Sequence, residues 1–494
     1  MARLYCIVGT NTQTYFGAQL FAVPFCGLFT ERNVKHMTAI SRQGDLTHGP
    51  IARLMIAYSI PLLLGNLLQQ LYTMADSIIV GNWVGKEALA AVGATATIVQ
   101  TLVGFFVGIG VGVSVVVSQY YGAKDILNLR RAIHTTILLT LVMGIVCTFL
   151  GIALTPAMLW LMDTPADVYD LAYEYLTIYF AGVAGLIFYN MLSGILRAMG
   201  DSKRPLYFLI FSCFLNIGLD ALFVIVFHWG VAGAAWATTF SQVISALAIF
   251  VLMCRTKEDW KINFHQLKVD WPITRRIFVI GLPTAINSSV ISLSNVAVTA
   301  FINAFGSNCM AGWSAYVRIH NLIFLPMQSL SMAATTFVGQ NYGARKADRI
   351  RRGNKVALAL SCGCAVVLGA FIMLLAKPAV LLFNSDPDVL YYGCLFLWVQ
   401  TPMMILGAIT DTLAGTLRGL GDSKFPAFAM ITSYVVFRQI YLRVLTPFTD
   451  SIMVPAFAYP VGWILCTIIM CVYFPVKMRH LLANIQPHET AGAQ

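Results

Sequence analysis

The chain repeats itself at a constant offset of 221 residues. Gln119-Tyr-Tyr-Gly-Ala-Lys returns as Gln340-Asn-Tyr-Gly-Ala-Arg, and Gly194-Ile-Leu-Arg-Ala-Met-Gly-Asp-Ser-Lys-Arg-Pro returns as Gly415-Thr-Leu-Arg-Gly-Leu-Gly-Asp-Ser-Lys-Phe-Pro; 340 less 119 and 415 less 194 both give 221. Arg130-Arg131 and Arg351-Arg352 keep the same spacing, so the register survives with no net insertion. Two homologous halves follow. In a very apolar chain, a half-and-half repeat is the signature of a transporter whose halves rock about a shared site.

Composition identifies the solvent. Hydrophobic residues make up 58% and charged residues 11% of 494 residues, whereas soluble domains run near a quarter charged. Apolar runs recur, each near the roughly 20 residues a helix needs to cross about 30 Å of hydrocarbon, and each is closed by a short polar or Gly/Pro-containing turn. They predict twelve spans, six per half. The first set runs approximately Ile51 to Trp83, Ala88 to Tyr120, Ala132 to Leu154, Leu171 to Leu196, Pro205 to Phe227 and Val231 to Cys254. The second runs approximately Arg276 to Phe305, Met310 to Val338, Val356 to Ala376, Val389 to Leu417, Pro426 to Leu445 and Ile452 to Val476. Pro61 and Pro283 fall inside the first helix of each half, where a missing amide bends the helix. Spanning strands are excluded, because they alternate with period two over about ten residues. The expected fold is an all-α integral membrane protein with twelve transmembrane helices in two homologous six-helix lobes. Its parts are an N-lobe at 46–254, a linker at 255–275, a C-lobe at 276–476 and a tail at 477–494.

A net charge of +11 invites a nucleic-acid reading, but the charge is placed otherwise. Lys124, Arg130, Arg131, Arg197, Lys203, Arg204, Arg255, Lys257, Lys261, Lys268, Arg275, Arg345, Lys346, Arg349, Arg351, Arg352, Lys355, Arg418, Lys424, Lys477 and Arg479 all fall in alternate loops or the tail, and the intervening loops hold Lys86 and Lys377. The positive-inside rule then makes the basic set and both termini cytoplasmic and puts the acidic turns at Asp163 to Asp167 and Asp386 to Asp388 outside. No nucleic-acid partner is expected. The eleven cysteines are scattered singly and read as small packing residues, with no structural metal site or disulfide framework. Residues 1–45 form an extension of a different kind: Phe16 to Phe29 is too short to span and resembles a signal h-region, and Met37 is a candidate start.

Chemistry is sought where a polar group inside the bilayer has no bland excuse. Acidic residues within spans are few, chiefly Asp76, Asp220 and Asp411, and such residues are functional candidates by default. Asp76 lies seven residues before Trp83, Asp220 seven before Phe227 and Thr238 seven after Val231, so each sits roughly 10 Å below the outer end of its helix at 1.5 Å per residue. Asn216 is four residues before Asp220 and shares its helix face. Two carboxylates, an amide oxygen and a hydroxyl at one depth suit a small hard cation such as Na+, or a proton. Each group read singly would instead serve as glue between helices. Adding 221 to these positions gives Ala297, Phe437, Tyr441 and Tyr459, so the cluster belongs to the N-terminal half alone.

The sequence resembles the multidrug and toxic compound extrusion (MATE) family over about Leu46 to Val476. The resemblance rests on Pro61 with Asp76 in Leu71-Tyr-Thr-Met-Ala-Asp-Ser-Ile-Ile-Val-Gly, on the paired Gln-x-Tyr-Gly-Ala and Leu-Arg-x-x-Gly-Asp-Ser-Lys motifs, and on Asn216-Ile-Gly-Leu-Asp220. It implies a V-shaped pair of lobes working as an antiporter that exports cationic or amphipathic compounds against inward Na+ or H+, with no other cofactor. In the DinF-like branch the N-lobe cation site comprises Asp, Asn, Asp and Thr, which fall here on Asp76, Asn216, Asp220 and Thr238. The NorM-like branch adds an acidic residue in the seventh helix, and Arg276 to Phe305 contains none. Asp411, opposite Asn190 in the repeat, is the acidic candidate deep in the C-lobe, with Arg438 or Arg318 as its expected partner. Pro61 and Pro283 are the expected conformational residues. A lipid-linked saccharide flippase is the alternative, given modest support by Arg438 and Arg443; a channel or membrane enzyme is the third reading, though no P-loop or catalytic constellation appears. Small-molecule substrates, a bilayer, a monomeric state and a bacterial inner (plasma) membrane location complete the expectations.

Overall fold

The computed structural model describes residues 44–162, 164–258, 260–449 and 451–483. The expectations for Phe16 to Phe29, Met37, Asp163 and the end of the tail lie outside the described residues. Twelve helices are long and apolar enough to cross a bilayer: α1 Ile51–Trp83, α2 Lys86–Gly122, α3 Ile126–Leu161, α4 Ala166–Ala198, α5 Lys203–Val226, α6 Gly230–Arg255, α7 Trp271–Asn303, α8 Ser307–Gly343, α9 Ala347–Leu374, α10 Pro387–Gly419, α11 Lys424–Phe448 and α12 Met453–Ala483. Among the described residues there is no strand; one further short α-helix, Ala376–Leu381, follows α9, and a 3-10 turn, Phe264–Gln266, lies between α6 and α7.

The repeat is written into the backbone as well as the side chains. Left-handed residues recur at the same offset: Gly85 and Gly306, Lys124 and Arg345, Gly200 and Gly421. The last pair explains the duplicated Gly-Asp-Ser-Lys motif. Glycine takes the positive φ that ends α4 and α10 (83° and 93°), a conformation that costs other residues dearly. The next residue then caps the following helix: Asp201 Oδ1 accepts from the Lys203 and Arg204 amides at 3.2 and 3.0 Å, and Asp422 Oδ1 from the Phe425 amide at 3.4 Å. Burial raises the Asp201 carboxyl above its ordinary range, against the opposing pull of the Arg204 amide and guanidinium.

Several helices begin earlier than predicted, α3 at Ile126 and α9 at Ala347 among them, because charged residues at helix termini remain helical beyond the hydrocarbon. The connection between halves is 256–270 rather than 255–275, since Asp270 caps α7 through the Ile273 amide at 3.1 Å, and α12 continues to Ala483.

From Asp45 onward the described chain forms one unit, and its two lobes are not cut where sequence continuity suggests. The first half of α1 packs in the C-lobe: Leu46, Met55, Tyr58 and Leu62 share a core with Ala333, Phe337, Leu413, Leu417 and Met470. Reciprocally, Ile273, Ile277, Ile280 and Ala285 of α7 share a core with Val113, Ile133, Ile187 and Ile195 of the N-lobe. Past the prolines each helix rejoins its own lobe: Val80 packs with Ala88, Tyr175 and Val231, and Val298 with Trp313, Tyr316 and Phe396. Burial of apolar surface, and not chain order, thus decides which core these segments join. Pro61 and Pro283 lie inside α1 and α7 at the crossover.

α7 packs along α2 from mid-helix, where Ser289 Oγ donates to the Thr101 carbonyl at 3.4 Å, to the basic end. Glycine permits this approach: a Cβ on Gly112 would run into the backbone of Ile277 and Gly281. At the basic end the two Gln-x-Tyr-Gly-Ala segments lie against each other, so that a Cβ on Gly122 would strike the Gln340 carbonyl and one on Gly343 the Gln119 carbonyl. Each glutamine also reaches across. Gln119 Nε2 donates to the Gly419 carbonyl at 2.8 Å and Gln340 Nε2 to the Ala198 carbonyl at 3.0 Å. Because 419 less 198 is again 221, these are two copies of one bond related by the pseudo-symmetry.

Candidate functional site

Three helices bring the predicted polar residues together. Asp76 comes from α1, Asn216 and Asp220 from α5, and Thr238 from α6; all four are buried, Asn216 and Asp220 completely. Thr238 Oγ1 donates to Asp76 Oδ2 at 3.4 Å, and the Tyr72 hydroxyl donates to Thr238 Oγ1 at 3.0 Å. Asn216 and Asp220 face Asp76 closely enough for their charges and dipoles to act on it, yet without a hydrogen bond of ordinary geometry. Asp76 Oδ1, both carboxylate oxygens of Asp220 and both polar atoms of the Asn216 amide are buried and unpartnered.

Such groups are costly to leave unmet in an apolar interior. Their chemistry also says what would satisfy them: hard oxygens converging from three helices suit a small cation, and two adjacent carboxylates suit a shared proton. Local structure supports the placement. Directly after Asp220, α5 widens into a π-helical turn, Ala221–Val226, a device found at functional sites because it re-aims side chains. No group of three His, Cys, Asp or Glu side chains suited to a metal occurs among the described residues, so any ion here rests on mixed carboxylate, amide and hydroxyl donors.

Below the cluster, toward the basic end, lies a cavity of about 70 Å³ inside the N-lobe, bordered by Pro61, Asn66, Gln69, Tyr72, Asn190 and Gln242. Tyr72 thus links the cavity to the carboxylates. Sequence reasoning passed it over, although its position four residues before Asp76 puts it on the same helix face.

Against known proteins, the family model described as MatE matches twice, at residues 61–222 and 283–442. The probable multidrug resistance protein YpnP of Bacillus subtilis is 31% identical over 379 residues, covering 76% of this chain and 84% of that protein. The chain belongs to the MATE family. The probable multidrug resistance protein YoeA of the same organism is 28% identical over 386 residues, covering 77% of this chain and 83% of its own length. In three dimensions, a MATE transporter solved in an outward-facing conformation superposes with a TM-score of 0.82 at 24% identity, covering 88% of this chain and 98% of that one. This likeness supports the fold. Both MATE matches begin at the prolines of α1 and α7, the residues at which these helices change lobes.

The C-lobe of this MATE protein holds a different arrangement at the equivalent place. Arg438, buried at 2% exposure, donates to Ser294 Oγ and Asn295 Oδ1 at 2.7 and 2.8 Å and lies 4.6 Å over the Tyr459 ring. These residues come from α7, α11 and α12, the counterparts of α1, α5 and α6, and Tyr459 itself is the repeat partner of Thr238. A tethered guanidinium thus stands where the N-lobe presents carboxylates. The expected partnership of Asp411 with Arg438 or Arg318 is not formed: Asp411 lies in α10 and exerts its charge on Arg418, while Arg318 is exposed. The support that Arg438 gave the flippase expectation is weakened, since its guanidinium is committed to Ser294 and Asn295.

Proposed function

We propose that the protein is a secondary active exporter of cationic or amphipathic small molecules, driven by inward movement of Na+ or H+ through the N-lobe. Membership of the MATE family and the names of its relatives support the transporter class. The observation that carries the coupling is the one-sided cluster of unpartnered oxygens on Asp76, Asn216 and Asp220, opposite a C-lobe whose corresponding place is filled by Arg438. A cation entering the cluster relieves carboxylate repulsion and draws α1, α5 and α6 together, which biases the lobes toward release of substrate. The basic end is read as cytoplasmic, on the positive-inside rule, in a bacterial plasma membrane. Both halves of the symmetric seam come from one chain, which supports a monomer.

Inverted membrane vesicles with Na+ and H+ gradients imposed separately test this. Accumulation of a cationic dye that follows one gradient and collapses with it is expected; accumulation indifferent to both would remove the antiport reading. Orientation is tested independently by a cysteine at Ala123 in a cysteine-free background, which resists impermeant thiol reagents in intact cells if that loop is inside.

A further inference from the structure

A second cavity of about 70 Å³ lies between the lobes, lined by Tyr58, Ser114, Asn190, Arg197, Thr335 and Arg418 among others. It straddles the pseudo-symmetry axis. Ser114 and Thr335 are repeat partners, as are Arg197 and Arg418, so one arginine enters from α4 and its copy from α10. Neither guanidinium forms an ion pair among the described residues; the one hydrogen bond recorded for either side chain is a long contact of 3.9 Å from Arg418 Nη2 to Met430 Sδ. The hydroxyls around them are spoken for: Ser114 donates to the Gly194 carbonyl at 3.0 Å, and Thr335 to the carbonyls of Ser331 and Gly415 at 3.0 Å each. No carboxylate lines the cavity, and the Asp411 charge offsets only part of two cations.

We propose that Arg197 and Arg418 form an anion subsite that receives the carboxylate of zwitterionic amphipathic substrates. Two arginines lining one cavity from opposite lobes offer planar N–H forks of the kind that match a carboxylate. The space of about 70 Å³ admits a group of that size and not a whole drug-sized ligand, so the subsite would hold the carboxylate end alone. Each arginine immediately precedes a carbonyl in the seam, Ala198 or Gly419, and a ligand held by both therefore touches both lobes beside the contacts that join them. This inference rests on the export reading and names a class of substrate for it.

The test uses the full-length protein in phosphatidylcholine nanodiscs and a zwitterionic xanthene dye with a free carboxylate, compared with its methyl ester by fluorescence anisotropy. Wild-type protein should bind the free carboxylate more tightly than the ester. Arg197→Gln and Arg418→Gln should each cut that preference about tenfold or more, the worth of a charge-assisted hydrogen bond, with part of it restored by Arg197→Lys and Arg418→Lys. Equal weakening of both dyes would make the arginines structural and overturn the proposal, as would a wild type with no preference. Loss of the preference when phosphatidylglycerol is added assigns the pair to lipid headgroups and overturns it too. Should the glutamine variants fail to fold, wild type decides alone: benzoate must displace the carboxylate dye and spare the ester, and displacement of both or neither refutes the subsite. Export of the ester by wild-type vesicles is measured in parallel. If that export is absent while the arginine-dependent preference persists, the efflux reading falls and the subsite stands.

Discussion

Asp220 carries the sharpest expectation at the scale of single residues, because both its oxygens are buried without partners and its repeat counterpart is Tyr441. Asp220→Asn preserves size and removes the charge. Gradient-driven export should fall at least about tenfold, the loss of a charge-assisted contact to the cation, while dye binding to purified protein persists. Export at the wild-type rate by well-expressed Asp220→Asn protein would refute the assignment. Arg438 gives a complementary test. Arg438→Gln leaves Ser294 and Asn295 with a neutral donor and bares the Tyr459 ring, so thermal stability should drop by about 1 to 3 kcal/mol, measured as a shift in unfolding temperature; an unchanged value would show that the guanidinium is idle. The clustering of Asp76, Asn216, Asp220 and Thr238 was legible in the sequence because polar groups inside spans are rare and helix rise converts residue offsets into depth. Tyr72 was not, since a tyrosine in an apolar span looks like packing until the Thr238 hydroxyl is found beside it. Arg438 was visible as a charge but its partners were not, because contacts among α7, α11 and α12 are tertiary and leave no trace in periodicity.

Among elements, the seam between α2 and α8 is where the duplicated motif acquires a purpose. Gln119 and Gln340 make copies of one cross-lobe bond, and Gly122 and Gly343 provide the clearance for it. Gly343→Ala should hold the basic end open, since the added methyl meets backbone that cannot swing aside as a side chain end would. Ser118, fully buried at this seam, reports the change: as Ser118→Cys in a cysteine-free background it should react with thiol reagents from the basic side only when Gly343→Ala is present. Gly122→Ala should behave alike, because the repeat makes the two positions equivalent. A Ser118→Cys side chain that stays unreactive in both backgrounds, with export unimpaired, would show that the seam opens without needing this approach. The twelve spans were readable from hydropathy and turn residues to within a few residues of α1, α4 and α10. The exchange of the first halves of α1 and α7 between lobes was not, because a repeat assigns segments by chain order whereas packing assigns them by buried surface.

In the proposed mechanism, that exchange is what would let an ion bound in one lobe move the other. α1 begins in the C-lobe core at Met55 and Tyr58, passes Pro61, and reaches the coupling cluster at Asp76, fifteen residues later. One helix is therefore anchored in both lobes, with a proline between the anchors where the backbone bends at low cost because an amide is already missing. In the proposed coupling, occupancy at Asp76 would set the position of the upper half while the C-lobe core holds the lower half, with the difference taken up near Pro61. α7 has the same anchoring and Pro283 but no acidic residue, so in this proposal it would follow the motion without sensing the ion. Three variants separate these roles. Asp76→Asn should abolish coupled export and weaken substrate binding, because it mimics the neutralised site. Pro61→Ala should slow cycling by stiffening α1 while cation affinity, read as the cation dependence of intrinsic tryptophan fluorescence, stays within about twofold, since no ligand is touched. Pro283→Ala should slow cycling without altering which gradient drives it. If Pro61→Ala lowers cation affinity as far as Asp76→Asn does, the bend and the charge form a single site, and α1 does not work as a lever between separately anchored ends.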